Sequence, residues 1–328
     1  MCEADIGTIG ISGAAGYLGA NLITRLLEQH GVQLRLLEHS TAMTLPDPAH
    51  HRCPGDLVAG TGIDEWLEGC AVVVHLAYLW HGGEAVNLKA TRNLVDACVR
   101  QGIRRMVHVS TAAVVGRTEA DWVDENTPCH PVTEYGQTKL QIEQAMLEAA
   151  SGSGLDLVIL RPTSVFGPGG APLTKLCGDL LAGPWFKNYL KACLFGRRAM
   201  NLVHVDNVVA AILFAIACPD DFRGLTLMVS DDDAPANNFL DVEQMARTRL
   251  GIGEYPLPVI PFPSPLLSML LRLMGRNMIN PVCRFRGSRI RKLGFQPVRD
   301  FGEGLQAYLD GLACAPKEGA AMAYGNRQ

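Results

Sequence analysis

A short apolar run over residues 8–12 passes directly into Gly13-Ala14-Ala15-Gly16-Tyr17-Leu18-Gly19, and that segment opens an amphipathic stretch over 18–29. Three glycines at this spacing, between a strand and a helix, narrow the possible folds more than any other feature of the chain. The first permits a tight turn, the second lets backbone approach a pyrophosphate, and the third allows close helix–strand packing. The helix N-terminus adds N–H donors and the positive end of a dipole. A glycine triplet alone is a weak signal; its place after a strand and before a helix makes it informative. Gly13, Gly16 and Gly19, with Tyr17 and Leu18, are therefore expected to face a dinucleotide.

The first two-thirds of the chain repeat this alternation. Strands are expected over 8–12, 33–38, 72–76, 105–110 and 155–160, and helices over 18–29, 63–68, 84–100 and 133–150. Val72-Val73-Val74 and Val158-Ile159-Leu160 are continuous apolar runs, as strands covered on both faces should be. The pattern predicts an α/β fold, a Rossmann-like doubly wound parallel sheet. Beyond Gly167 the chain is broken by Pro168, Gly169, Gly170, Pro172 and Pro184. Residues 1–170 thus read as a dinucleotide-binding domain and 171–314 as a smaller, mostly helical substrate-binding region. Within it, 201–230 is expected to return to the main sheet, through strands at 201–205 and 225–230 and a helix at 208–217. Residues 315–328 read as a flexible tail.

Glu38 closes the second expected strand, about twenty residues after the last glycine of the turn. An acid there binds ribose hydroxyls and repels a 2′-phosphate, which favours NAD over NADP. Asp56, followed by Leu57, falls where the chain should pass the adenine; an Asx turn is the competing role for that carboxylate.

Tyr135 and Lys139 stand at i and i+4, on one face of the 133–150 helix. A cation beside a phenol, together with the positive nicotinamide ring, favours the phenolate and lowers its pKa. Tyr135 can then take a proton from a substrate hydroxyl, or return one to a carbonyl, while hydride moves. Thr111 follows the fourth long strand, at the sheet edge where ligand crevices form. Its hydroxyl is placed to orient the substrate oxygen; Ser110, one step away, points to the opposite face.

In their order, these motifs resemble the extended short-chain dehydrogenase/reductase family, the NAD-dependent epimerase/dehydratase group. The resemblance runs through the glycine turn, Val74-His75-Leu76-Ala77, Asn87 and its helix, and Val109-Ser110-Thr111 closing at Gly116. It continues through Tyr135 and Lys139, Leu160-Arg161-Pro162, Val203-His204-Val205-Asp206-Asn207 and Leu293-Gly294-Phe295. It implies that Leu76, Ala77, Asn87 and Pro162 lie near the cofactor, that Thr111, Tyr135 and Lys139 form the catalytic set, and that the chain is a homodimer. Ala112 and Ala113 stand where the family's 4,6-dehydratases carry acids, so elimination is not expected. Met200-Asn201-Leu202 replaces an Arg-Asp-Phe run common in sugar-nucleotide members.

A net charge of −4 gives no hint of a basic surface for nucleic acid. Arg284, Arg286, Arg289, Arg291 and Lys292 form the densest cationic group, read as a solvated face or as a partner for an anionic substrate. Ten cysteines lie singly, without metal-ligand spacing, which fits reduced thiols in the cytoplasm, and the acidic N-terminus argues against a signal peptide. His50 and His51 read as a loop without a metal, and His75 and His108 as buried, hydrogen-bonded histidines. His204 is expected to tie the C-terminal region to the sheet. The apolar segment 256–274 is broken by prolines and is too short to span a bilayer, but fits a lid or interfacial helix. Three functions follow: an NAD-dependent oxidoreductase/epimerase on a sugar nucleotide, an alcohol dehydrogenase of the 3β-hydroxysteroid or dihydroflavonol-reductase kind on an apolar substrate, and a non-catalytic NAD sensor.

Overall fold

The computed structural model describes residues 7–29, 31–39, 51–274 and 280–314. The expected tail and His50 lie outside these residues. The chain runs β1 (Thr8–Ser12), α1 (Tyr17–Leu27), β2 (Gln33–Glu38), β3 (His51–Pro54), α2 (Ile63–Leu67), β4 (Cys70–His75) and α3 (Gly83–Arg100). It continues through β5 (Arg105–Val109), β6 (Trp122–Val123), α4 (Glu134–Ala150), β7 (Asp156–Pro162), β8 (Ser164–Phe166), α5 (Thr174–Ala182) and α6 (Trp185–Phe195). Then come β9 (Leu202–His204), α7 (Val205–Ala217), β10 (Leu225–Val229) and α8 (Phe239–Arg249). The last elements are α9 (Ser264–Leu273), β11 (Arg284–Phe285), α10 (Ser288–Lys292) and α11 (Phe301–Cys314).

Seven strands form one sheet in the order β10-β7-β5-β4-β1-β2-β3. Every pairing in it is parallel. The strand order reverses between β1 and β4, which opens a crevice at their C-terminal ends. Alternation along the strands feeds two cores. Ile9, Ile11, Val72, Val74 and Val158 pack against Leu22 and Leu26 of α1 and Val208 and Ile212 of α7. Val73, Met106, Leu157 and Ile159 face the other way, onto Trp66 of α2, Leu94 and Cys98 of α3, and Ile142 and Met146 of α4. A third core joins Phe166, Leu202, Val242, Leu305 and Leu309 beneath the C-terminal helices.

Two expectations need correction. His51–Pro54 is an edge strand, paired with β2 through Arg35↔His51 to Glu38↔Pro54, and not a loop. A short edge strand needs one neighbour and shows no apolar alternation to mark it. The strand expected over 201–205 does not join the main sheet: Leu202–His204 pairs with Ser164–Phe166, and Leu225–Val229 forms the sheet's edge. Among the described residues no helix is long and apolar enough to cross a membrane. In α9, Leu267 and Leu271 are buried while Leu266, Met269 and Leu273 are exposed.

Candidate active site

The glycine turn has the tight geometry its spacing implies. Gly13 has φ +75°, and a Cβ there would lie 2.6 Å from the Ala77 nitrogen, so this turn sits hard against the end of β4. A Cβ on Gly19 would meet the Gly13 and Ala14 carbonyl oxygens at 2.5 Å. Gly16 differs: its Cβ would meet only the Gly13 oxygen, at 3.2 Å, a contact that a few tenths of an ångström relieve. The fold demands glycine at 13 and 19; at 16 a bare backbone leaves room beside the N-terminus of α1, as a pyrophosphate requires. The turn therefore fits a dinucleotide. Tyr17 opens α1, and its phenol packs on Gly167, Gly169 and Gly170, with the hydroxyl buried and without a hydrogen-bond partner. Leu18 packs against the core on the α1 side of the sheet.

Glu38 ends β2, its carbonyl accepting from the Gly55 N–H at 3.0 Å. Asp56 does form the Asx turn: Oδ1 accepts from the Val58 and Ala59 N–H groups at 2.7 and 3.1 Å. These bonds and the nearby His39, 3.5 Å from Oδ2, hold its pKa below the usual carboxylate value. Leu57 is buried, and its carbonyl accepts from Asn93. Leu76 N–H donates to the Ser12 carbonyl, joining the ends of β1 and β4. Asn87, buried in α3, clamps the loop before it, as its amide accepts from Leu79 N–H and donates to the Leu79 carbonyl, each at 3.0 Å. Pro162 ends β7 opposite Val229 of β10.

At the start of α4, the Thr133 hydroxyl caps the helix by accepting from Gly136 N–H at 3.2 Å. A Cβ on Gly136 would lie 2.8 Å from the Ala113 carbonyl, so α4 begins in close contact with the 3-10 turn after β5. That contact brings Tyr135 beside Thr111, whose hydroxyl favours the ionised phenol. Lys139, only 3% exposed, donates from Nζ to the Val109 carbonyl at 3.1 Å. Its ammonium also lies over the Tyr78 ring at 5.2 Å. Ser110 is buried, whereas Thr111 lines a cavity of about 490 Å³ with Ala112, Ala113, Arg198, Asn201 and Phe239.

The pKa values run against one expectation. Burial pushes the Tyr135 phenol up to about 12, with the neighbouring Thr111 hydroxyl pulling the other way. Burial likewise depresses Lys139 to about 8, partly offset by Glu143 one turn along the helix. Desolvation thus outweighs any lowering of the Tyr135 pKa by Lys139 in the protein alone. The phenol is consequently a proton donor here until further positive charge arrives.

Sequence reasoning missed three aromatic contacts around the phenol. The Trp80 ring stacks on Tyr135 at 5.2 Å and 12°, and Tyr78 sets its edge against both. It also missed the buried fork from Arg161 to Glu143, with Nε 3.0 and 3.2 Å from the two carboxylate oxygens. Nothing in local spacing marks either. His75 bonds Ser12 at 2.6 Å and stacks on His108 at 5.2 Å; burial drives both imidazoles far below their usual pKa, so they are neutral. The hydrogen bond expected of His108 is missing from its ring nitrogens. His204 caps α7, accepting from Asp206 N–H, and its ring meets Phe166 and Gly304. The four arginines of the cationic group are engaged within the fold. Arg284 donates to backbone carbonyls, Arg286 covers Trp122, Arg289 holds Thr226 and Asn126, and Arg291 pairs with Asp233.

The family described as NAD dependent epimerase/dehydratase matches residues 9–226. The chain is 29% identical over 309 residues to short-chain dehydrogenase/reductase family 42E member 1 of Xenopus laevis, covering 85% of this chain and 77% of the relative. It is 27% identical over 256 residues to a 3β-hydroxysteroid dehydrogenase/Δ5→4-isomerase of Mycobacterium tuberculosis, covering 72% and 67%. Among solved structures, UDP-glucuronic acid 4-epimerase of Bacillus cereus in complex with NAD superposes with a TM-score of 0.72 at 20% identity, covering 92% of this chain and 96% of that one.

Proposed function

Because the chain belongs to the NAD-dependent epimerase/dehydratase family, we propose that it exchanges hydride and proton at a secondary alcohol or ketone carbon of a sugar nucleotide. The observation that carries this reading is the triad of Thr111, Tyr135 and Lys139, with Thr111 in the cavity wall, Tyr135 beside it and Lys139 buried beneath. NAD supplies the hydride acceptor and, in its oxidised form, a positive ring. The rest falls to the chain. The backbone of Gly13, Gly16, Tyr17, Leu18 and Gly19 receives the pyrophosphate, Glu38 the ribose, and Asp56 and Leu57 the adenine side. Leu76, Ala77, Asn87 and Pro162 border the nicotinamide, with Tyr135 and Lys139 at its ribose.

Thr111 donates to the substrate oxygen and turns it toward Tyr135, which takes or returns the proton. Lys139 lends charge to the phenolate as it forms. Ala112 and Ala113 line the cavity with methyl groups, so no side chain there serves the acid–base pair of an elimination. A binding protein would have no need of this triad, which weighs against a bare NAD sensor. Residues 171–314 act as the substrate-binding region, and Arg198 in the cavity wall offers a cation to a diphosphate. The molecule works in the cytoplasm as a homodimer through α3 and α4, which lie side by side on one face of the sheet.

One observation favours a second substrate. Phe195, Met200, Ala199, Phe239 and Phe285 give the cavity a largely apolar wall, suited to a steroid-like alcohol or ketone. A thermal-shift panel with NAD present distinguishes the two, because a bound ligand raises stability by mass action. Stabilisation by UDP-glucose supports the sugar nucleotide, and stabilisation by pregnenolone supports the apolar ring. Tyr135→Phe should then abolish turnover of the stabilising compound while leaving NAD affinity within twofold. Undiminished turnover would reject the assignment, and sedimentation of a monomer only would reject the dimer.

A further inference from the structure

Trp80 stands on the loop between β4 and α3, one residue past the Leu79 backbone that Asn87 clamps from both sides. Asn87 also donates to the Gly83 carbonyl at 2.8 Å, so the loop is held before and after the indole. The Trp80 ring lies nearly parallel to Tyr135, with Tyr78 edge-on at 4.8 Å to Trp80 and 5.1 Å to Tyr135. Yet Trp80 remains 71% exposed. Tryptophan ordinarily buries a large area, and its contacts with other rings have a preferred geometry. A bare indole surface, fixed beside the acid–base phenol, is a surface left for a ligand.

We propose that Trp80 is the specificity-determining residue of this site, receiving the apolar face of a ring that the substrate carries next to its reacting carbon. The C–H face of a pyranose and the face of an alicyclic ring share this chemistry. Stacking such a ring on the indole holds the neighbouring hydroxyl-bearing carbon near Tyr135 and displaces water from that side. An open-chain alcohol gains nothing from the contact. This inference rests on Tyr135 being the acid–base group.

The test uses the full chain loaded with NAD, as wild type, Trp80→Ala and Trp80→Phe, titrated with UDP-glucose and with pregnenolone. Calorimetry gives the affinities, and the difference in emission between wild type and Trp80→Phe reports on this indole alone. At least one probe should shift the Trp80 emission. Its dissociation constant should rise tenfold or more in Trp80→Ala and return to within threefold in Trp80→Phe, with NAD affinity within twofold throughout. Loss confined to UDP-glucose identifies the pyranose; loss confined to pregnenolone identifies the alicyclic ring. Equal affinity in wild type and Trp80→Ala, or a Trp80 emission that neither probe perturbs, overturns the proposal. Failure of the underlying function shows separately, as wild type that does not bind NAD or as Tyr135→Phe with full turnover.

Discussion

The Lys139 ammonium donates to the Val109 carbonyl at 3.1 Å, anchoring α4 to the end of β5 just before Thr111. This single bond joins a helix to the strand whose exit carries the partner hydroxyl, and it makes the Tyr135–Thr111 distance a property of sheet and helix together. It also satisfies only one of the ammonium's three donors in a buried place.

Burial lowers the Lys139 pKa from 10.5 to about 8. Between those values the unfolded chain binds more protons than the folded one, so stability contributed at this site rises with pH across that window. At pH 7 the group is charged in both states, and the cost of burying it is fully present. Lys139→Met should therefore be more stable than wild type at pH 7, by about 2 kcal/mol after the lost hydrogen bond is discounted. The gap should narrow as pH rises from about 8 to 10.5. Denaturant unfolding of cofactor-free protein across this range checks it; a gap independent of pH contradicts it.

The last two glycines of the turn should fail in different ways. Gly19→Ala forces a Cβ to 2.5 Å from two backbone oxygens and should cost about 1–3 kcal/mol of stability. Gly16→Ala meets one oxygen at 3.2 Å and should unfold close to wild type. Its NAD dissociation constant should nevertheless rise about tenfold or more, since the added methyl faces the phosphates. Calorimetric unfolding together with NAD titration separates the two effects.

Glu38 ends β2, and in the proposed function its carboxylate would accept from ribose hydroxyls and oppose a 2′-phosphate. Glu38→Ala should weaken NAD about tenfold, roughly 1.4 kcal/mol, and leave NADP affinity equal or improved. Parallel titrations of the two dinucleotides decide it. A wild type that already prefers NADP would refute the ribose role.

Arg161 and Glu143 are both nearly fully buried and joined by a fork. Arg161→Met strands a carboxylate in the interior one turn from Lys139 and should destabilise by about 3–5 kcal/mol. Adding Glu143→Leu should restore most of that loss, because the desolvated charge is then gone. Urea unfolding of the single and double variants tests the pair; an additive second loss would show that the ion pair is not the cause.

How much of this was legible beforehand depended on range along the chain. The glycine turn, the strands β1, β2, β4, β5 and β7 and the helix carrying Tyr135 and Lys139 were readable, since each is written in a local glycine spacing, a short apolar run or the helical period. The edge strand His51–Pro54 and the pairing of Leu202–His204 with Ser164–Phe166 were not. Short strands with one neighbour acquire their state from that neighbour. The Arg284–Lys292 cations looked available to a ligand because charge is visible in sequence, whereas the carbonyls and carboxylates that consume most of them come from distant segments.

By itself the sequence determined the sheet's repeating unit, the backbone opening at Gly16, and one helical face shared by Tyr135 and Lys139, because these are local demands of sterics and helical period. Only tertiary structure decided that burial raises the phenol's pKa and that Trp80 stacks on Tyr135. Those outcomes depend on how α4, the end of β5 and the loop after β4 meet at one edge of the sheet. Their contacts join residues far apart in sequence, and their electrostatics are set by how much water the packing excludes.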